Sequence, residues 1–255
     1  MKVFFIGAGP GDRDLITVKG RDVLGEADIV VYAGSLVAPG LLDWARDDAL
    51  RYNSAEMDLD EIQAVYREVK EQEGIIARLH TGDPSIYGAI QEQIDFCMQE
   101  AIPFEIVPGV SSFSAGAARL EQELTLPGVS QTVILSRISG RTKTPEAQDL
   151  EKLASHCATM VIFLSAGHIS RVVEKLLRHY APATPAAVLY RVTWEGEEII
   201  RCRLDGLEEA VKQAGIERHA LIYVGEVLDG SYDYSKLYDK QFTHGYRKGS
   251  GSSNG

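Results

Sequence analysis

In the first half of the chain, short dense apolar runs repeatedly break at a glycine. Val3-Phe4-Phe5-Ile6 has no polar residue within it, which predicts a strand buried on both faces, as in a parallel sheet covered by helices. It runs into Gly7-Ala8-Gly9-Pro10-Gly11-Asp12. Asp28–Tyr32 predicts a second strand, ending at Ala33-Gly34-Ser35. Ile75–Leu79 predicts a third, ending at His80-Thr81-Gly82-Asp83-Pro84. Phe104–Val107 breaks at Pro108-Gly109-Val110-Ser111-Ser112. Between these runs the spacing lengthens to three and four. Leu15–Ala27 predicts a helix with Val18, Val23 and Leu24 on one side. Asp58 is placed to cap another, carrying Leu59, Ile62, Val65, Tyr66 and Val69 and ended by Gly74. Asp83 followed by Pro84 predicts a further helix start. Small residues from Ser111 to Ala118 predict a helix able to press close to a neighbour or a ligand.

Leu124–Val129 reads as a linker, and a second set of elements follows. Thr132–Ser136 and Thr159–Leu164 are strands. Ile169, Val172, Val173, Leu176, Leu177 and Tyr180 mark one face of a helix. Ala186–Thr193 and Glu198–Leu204 read as a hairpin around Glu195-Gly196-Glu197. Leu207, Ala210 and Val211 mark a helix, and His219–Val227 a last strand. The expected fold class is α/β, with two αβα domains (1–125 and 126–244), mostly parallel sheets and a ligand cleft between them. The glycine- and serine-rich residues 245–255 are expected to be a disordered tail.

Composition narrows the chemistry. With 255 residues, 45% of them apolar, the chain is long enough for two α/β domains. No apolar run reaches membrane length and no basic-then-apolar leader opens the chain, so cytoplasmic residence is expected and no membrane partner. Cys97, Cys157 and Cys202 are scattered, and the six histidines show no ligand spacing. Neither a disulfide framework nor a protein-bound metal is expected. The net charge of −11 argues against a nucleic-acid partner. Residues 1–125 hold 10 Lys and Arg against 22 Asp and Glu, a net −12, and residues 126–255 hold 16 against 15, a net +1. The second half holds a basic cluster, Arg137, Arg141 and Lys143, which points to an anionic partner; a solvated loop is the other reading.

The first glycine corner departs from a dinucleotide fingerprint. Asp12 stands at the sixth position, where glycine or alanine is required, and Pro10 removes an amide donor from the loop. A nicotinamide oxidoreductase is therefore disfavoured. Three strand-to-glycine corners within residues 7–112 gather along one edge of a parallel sheet, where α/β proteins bind small molecules. Asp83, at the middle corner, either caps a helix or meets an ammonium or hydroxyl group of a ligand.

Taken together, Gly7–Asp12, Thr81-Gly82-Asp83-Pro84 and Pro108-Gly109-Val110-Ser111-Ser112 resemble the tetrapyrrole methylases. The resemblance covers about residues 1–230. Asp14–Gly20, His80–Gly88, Gln131–Arg137, Gly140-Arg141-Thr142 and Ile162–Ser165 are similar to the branch that methylates C11 of precorrin-4 or cobalt-precorrin-4 in cobalamin synthesis. One departure separates the chain from the uroporphyrinogen methylases, which carry an aspartate after the tyrosine of the second strand. Here Tyr32 is followed by Ala33-Gly34-Ser35.

The resemblance implies a homodimer that transfers a methyl group from S-adenosylmethionine to a ring carbon of a reduced tetrapyrrole, leaving S-adenosylhomocysteine. It implies cofactor contacts from Pro10, Thr81, Gly82, Asp83, Ile86, Ser111, Ser112 and Leu164, near Val192, and near Ala220 and Leu221. Arg137, Arg141 and Lys143 are the candidates for gripping the carboxylates of the substrate. No catalytic triad is evident. Another methylase of the same fold acting at a different carbon, a non-catalytic binding module and a methylase acting on RNA or protein are the remaining alternatives.

Overall fold

The computed structural model describes residues 2–70, 74–230, 232, 233, 235, 239, 240, 242, 243 and 245–248. The expected tail lies outside them from residue 249, as does the side chain of Val69. The chain divides into two units. One is Met1–Leu120 with Leu189–Ile199 and His219–Leu221; the other is Glu121–Val188, Ile200–Arg218 and Ile222–Gly255.

The first unit is built on β1 (Lys2–Gly7), α1 (Val18–Glu26), β2 (Ile29–Tyr32), β3 (Leu50–Asn53), α2 (Leu59–Lys70), β4 (Ile75–His80), α3 (Gln91–Gln99), β5 (Phe104–Val107) and α4 (Ser112–Arg119). Its sheet has the order β3-β2-β4-β1-β5, parallel at every pairing. The apolar run of β1 explains its central place. Side chains alternate across a strand, so Val3 and Phe5 enter one core with Ile29, Val31, Tyr66, Ile76 and Phe96. Phe4 and Ile6 enter the opposite core with Leu24, Val30, Ala77, Leu79 and Val107.

Local signals set the helix starts. Thr17 caps α1 by accepting from the Gly20 amide at 3.1 Å. Asp58 and Glu61 form a reciprocal capping box before α2, with bonds of 2.8 and 2.9 Å. The helix start expected at Asp83-Pro84 is not there. Turns follow Asp83, and α3 begins only at Gln91. Tyr87 and Ala89 sit at φ 54° and 49°, a left-handed conformation that no right-handed helix accommodates.

The second unit contains β6 (Val133–Arg137), α5 (Leu150–Ala154), β7 (Thr159–Phe163), α6 (Ile169–Leu176), β8 (Pro185–Tyr190), β9 (Glu198–Arg203), α7 (Leu207–Gln213) and β10 (Ala220–Val224), with the ends of β8, β9 and β10 cut by the boundaries above. The sheet order is β6-β7-β10-β8-β9. β6 runs parallel to β7 and β10 antiparallel to it, so this sheet is mixed. β8 and β9, consecutive in the chain, are neighbours in the sheet as expected of the hairpin. The Leu124–Val129 stretch is a packed turn and not a loose connector: Leu124 and Leu126 are buried, and Leu126 pairs with Ser130. Among the described residues no helix is long and apolar enough to cross a membrane.

Candidate functional site

Because β4, β1 and β5 are adjacent and parallel, their carboxyl ends deliver the three glycine corners side by side. The corners are locked through backbone. Gly9 and Gly82 exchange hydrogen bonds, Gly82 N to Gly9 O at 2.8 Å and Gly9 N to Gly82 O at 3.2 Å. A Cβ on Gly109 would lie 2.2 Å from the Gly82 carbonyl oxygen and 2.7 Å from Gly7 Cα. Glycine at 7 and 109 is therefore a packing requirement, and Gly82, at φ 63°, is a conformational one.

Asp83 fastens the second corner to the third. One carboxylate oxygen accepts from the Gly109 amide at 2.8 Å. The other accepts from the Ser85 amide at 2.8 Å and from the Ser85 hydroxyl. Partial burial works to raise the carboxyl pKa, but these donors outweigh it and hold the group below its ordinary value. Ser111 precedes α4 and is buried, yet its side chain makes no cap to the helix. The amino end of α4 and the Ser111 and Ser112 side chains thus stand beside the corner that Asp83 holds.

Beneath this edge lies a buried polar group that sequence reading did not single out. Arg78 of β4 is 6% exposed and donates to Gln93 Oε1 at 3.1 Å and Ser54 Oγ at 2.8 Å. Tyr66 Oη donates to the same Gln93 oxygen at 2.8 Å. His80, also 6% exposed, ends β4 with Nε2 unpartnered. Burial, and next the Arg78 cation, push its imidazole down to about 3 against a hydrogen bond with the Gly88 backbone.

Sequence reading placed a hairpin turn after β8 but missed what that turn holds. Trp194 Nε1 donates to the Pro10 carbonyl at 2.7 Å, and the Asp12 amide donates to Thr193 Oγ1 at 2.9 Å. A Cβ at Gly11 would fall 2.1 Å from Trp194 Cδ1. Glu197 anchors the turn, accepting from the Thr193 amide at 2.6 Å and pairing with Arg119 at 2.6 Å. No spacing signal marks Thr193 or Trp194, since their partners lie more than 180 residues away in sequence.

Of the residues named from sequence, Pro10, Thr81, Gly82, Asp83, Ser111 and Ser112 fall at the three adjacent corners, and Ile86 in the turn after Asp83. Val192, Ala220 and Leu221 are buried in the same unit, where the Arg191 amide bonds the His219 carbonyl at 2.9 Å. Leu164, Arg137, Arg141 and Lys143 belong to the other unit. There, Arg137 is in register with Phe163, and the Ile138 amide bonds Ser165 Oγ at 2.9 Å, so the loops after β6 and β7 are neighbours. Leu164 is 71% exposed at φ 51°, an apolar side chain held outward in a strained conformation. Arg137 folds back on its loop, donating to Thr142 O at 3.0 Å. Among the described residues neither Arg141 nor Lys143 pairs with a carboxylate.

Residues 2–208 match the family model of the tetrapyrrole (corrin/porphyrin) methylases. The chain is 52% identical over 249 residues to a cobalt-precorrin-4 C(11)-methyltransferase from Methanocaldococcus jannaschii, covering 97% of this chain and 96% of that one. The X-ray structure of a cobalamin biosynthetic enzyme, cobalt precorrin-4 methyltransferase, superposes with a TM-score of 0.87 at 42% identity, covering 89% of this chain and 96% of the other. A uroporphyrin-III C-methyl transferase from Thermus thermophilus, complexed with S-adenyl homocysteine, superposes with a TM-score of 0.77 at 26% identity over 91% of this chain and all of the other.

Proposed function

The chain belongs to the tetrapyrrole (corrin/porphyrin) methylases, and on that premise we propose that it methylates C11 of cobalt-precorrin-4 or precorrin-4 in cobalamin biosynthesis, with S-adenosylmethionine as donor. The observation that carries this reading is the 52% identity to the Methanocaldococcus jannaschii enzyme across 97% of the chain.

When bound, the donor supplies a methyl group on a positively charged sulfur, already an electrophile with a good leaving group. The residues present fit such a molecule. Glycine at 7 and 109 lets the corner backbones close on one another, and Gly82 takes the left-handed turn between them. The amino end of α4, together with the Ser111 and Ser112 hydroxyls, suits the donor's carboxylate. Corner carbonyls, the Thr81 hydroxyl and the remaining lone pairs of Asp83 suit its ammonium. Val192, Ala220 and Leu221, apolar residues of the same unit as the corners, are assigned to its adenine. Arg137, Arg141 and Lys143 take substrate carboxylates, for which guanidinium forks are well shaped.

A reduced tetrapyrrole carbon is itself a nucleophile, so little acid–base assistance is needed. The chain's contribution is to hold carbon, methyl and sulfur in line, and such orientation is worth about 7–11 kcal/mol in favourable cases. A cytoplasmic homodimer is the working state we expect, open to test by sedimentation. The deciding experiment supplies labelled methyl donor with cobalt-precorrin-4 or precorrin-4 and locates the label by NMR. Label at C11 is the expected result; no transfer, or label at another carbon, overturns the reading.

A further inference from the structure

The turn carrying Thr193 and Trp194 does more than pack. It fixes two consecutive peptide planes of the first glycine corner. The Pro10 carbonyl is held by Trp194 Nε1 at 2.7 Å, and the Asp12 amide by Thr193 Oγ1 at 2.9 Å. Every described peptide is trans, so in each plane the C=O and the N–H point in opposite directions. With the Pro10 carbonyl turned toward Trp194, the Gly11 N–H faces away from it. With the Asp12 N–H turned toward Thr193, the Gly11 carbonyl faces away as well. Gly11 therefore presents its own donor and acceptor together on the side opposite the turn, and neither bonds elsewhere among the described residues.

Two features show that this orientation is imposed on the backbone. The indole lies where a Gly11 side chain would be, 2.1 Å from its ideal Cβ. Arg191 and Thr193 hold φ 48° and 66°, conformations costly for residues with side chains, costlier still for a β-branched one. The Glu197 carboxylate, bonded to the Thr193 amide and to Arg119, keeps the turn in that state.

We propose that Trp194 and Thr193 are positioning residues that aim the Gly11 N–H and C=O as a matched pair at the amino-acid end of the methyl donor. An adjacent donor and acceptor complement the carboxylate and ammonium of a zwitterion. The inference rests on the methyl-donor reading above and deepens it. It also assigns the Pro10 carbonyl to the indole.

The test compares parent, Trp194→Phe and Thr193→Val by calorimetry with S-adenosylmethionine and with 5′-methylthioadenosine, which lacks the amino-acid end, followed by steady-state kinetics. In both variants the donor Kd is expected to rise about tenfold. Methylthioadenosine affinity, the KM for the tetrapyrrole and kcat at saturating donor should stay within twofold of the parent. Should Trp194→Phe fail to fold, Thr193→Val alone decides. The inference is overturned if donor Kd is unchanged in the folded variants, or if methylthioadenosine affinity falls equally. A parent chain that binds no S-adenosylmethionine removes the methyl-donor reading first, and this inference with it.

Discussion

Gly109 is the residue on which the three corners close. An added methyl group has only the Gly82 carbonyl and the Gly7 backbone to displace, and both belong to neighbouring strand ends. Gly109→Ala should therefore destabilise the protein by roughly 3 kcal/mol and abolish donor binding. Gly40→Ala, where nothing lies within 4 Å of the new Cβ, should stay within about 0.5 kcal/mol. Denaturant midpoints of the two variants make the comparison.

His80 gives a second prediction. Its folded imidazole titrates at about 3, against about 6.5 in the unfolded chain. Between those values the unfolded state binds the extra proton, so stability falls as pH falls. The slope is roughly 1.4 kcal/mol per pH unit, or about 2 kcal/mol between pH 7 and 5. His80→Leu should flatten that part of the pH–stability curve; an unchanged slope would show that the protonation responsible lies elsewhere. The depressed Asp83 carboxyl acts in the same sense but lower, its contribution being lost only as pH falls below the ordinary aspartate range.

At the level of elements, the strands were the most legible part of the sequence. Unbroken apolar runs such as Val3–Ile6 have one good home, a strand with a core on each face, and the glycines that end them mark where backbones converge. Asp83 misled because aspartate followed by proline signals a helix start on local grounds alone. Here its oxygens reach Gly109, on a different strand end, and local sequence carries no trace of that partner. Arg78 and His80 were hidden for a related reason. Within β4 they look like ordinary polar residues, and the partners of Arg78, Gln93 of α3 and Ser54 after β3, lie on other elements. The partners of the turn at 191–197 were hidden by distance in sequence.

The loop after β6 carries its own prediction. Arg141 and Lys143 are exposed, so the substrate-carboxylate role proposed for them predicts an interaction screened by salt. Arg141→Ala should raise the KM for the tetrapyrrole several-fold at low ionic strength, with the gap to the parent narrowing as salt is added. A gap that ignores salt would indicate lost packing instead.

For the molecule as a whole, ligand and fold are linked by mass action. S-adenosylmethionine at one hundred times its Kd should stabilise the protein by about 2.7 kcal/mol, read as a rise in Tm. Trp194→Phe should show a smaller rise at the same concentration.

The first unit takes most of its residues from the start of the chain but is completed by Leu189–Ile199 and His219–Leu221. Synthesis proceeds at roughly 5–20 residues per second, so about 10–40 seconds separate the emergence of Gly11 from that of the indole it accommodates. A nascent chain halted before residue 189 would carry all three glycine corners with the first one unbraced. On the ribosome, competence to hold the methyl donor should thus arrive late and abruptly, well after the parallel sheet beneath it has been translated.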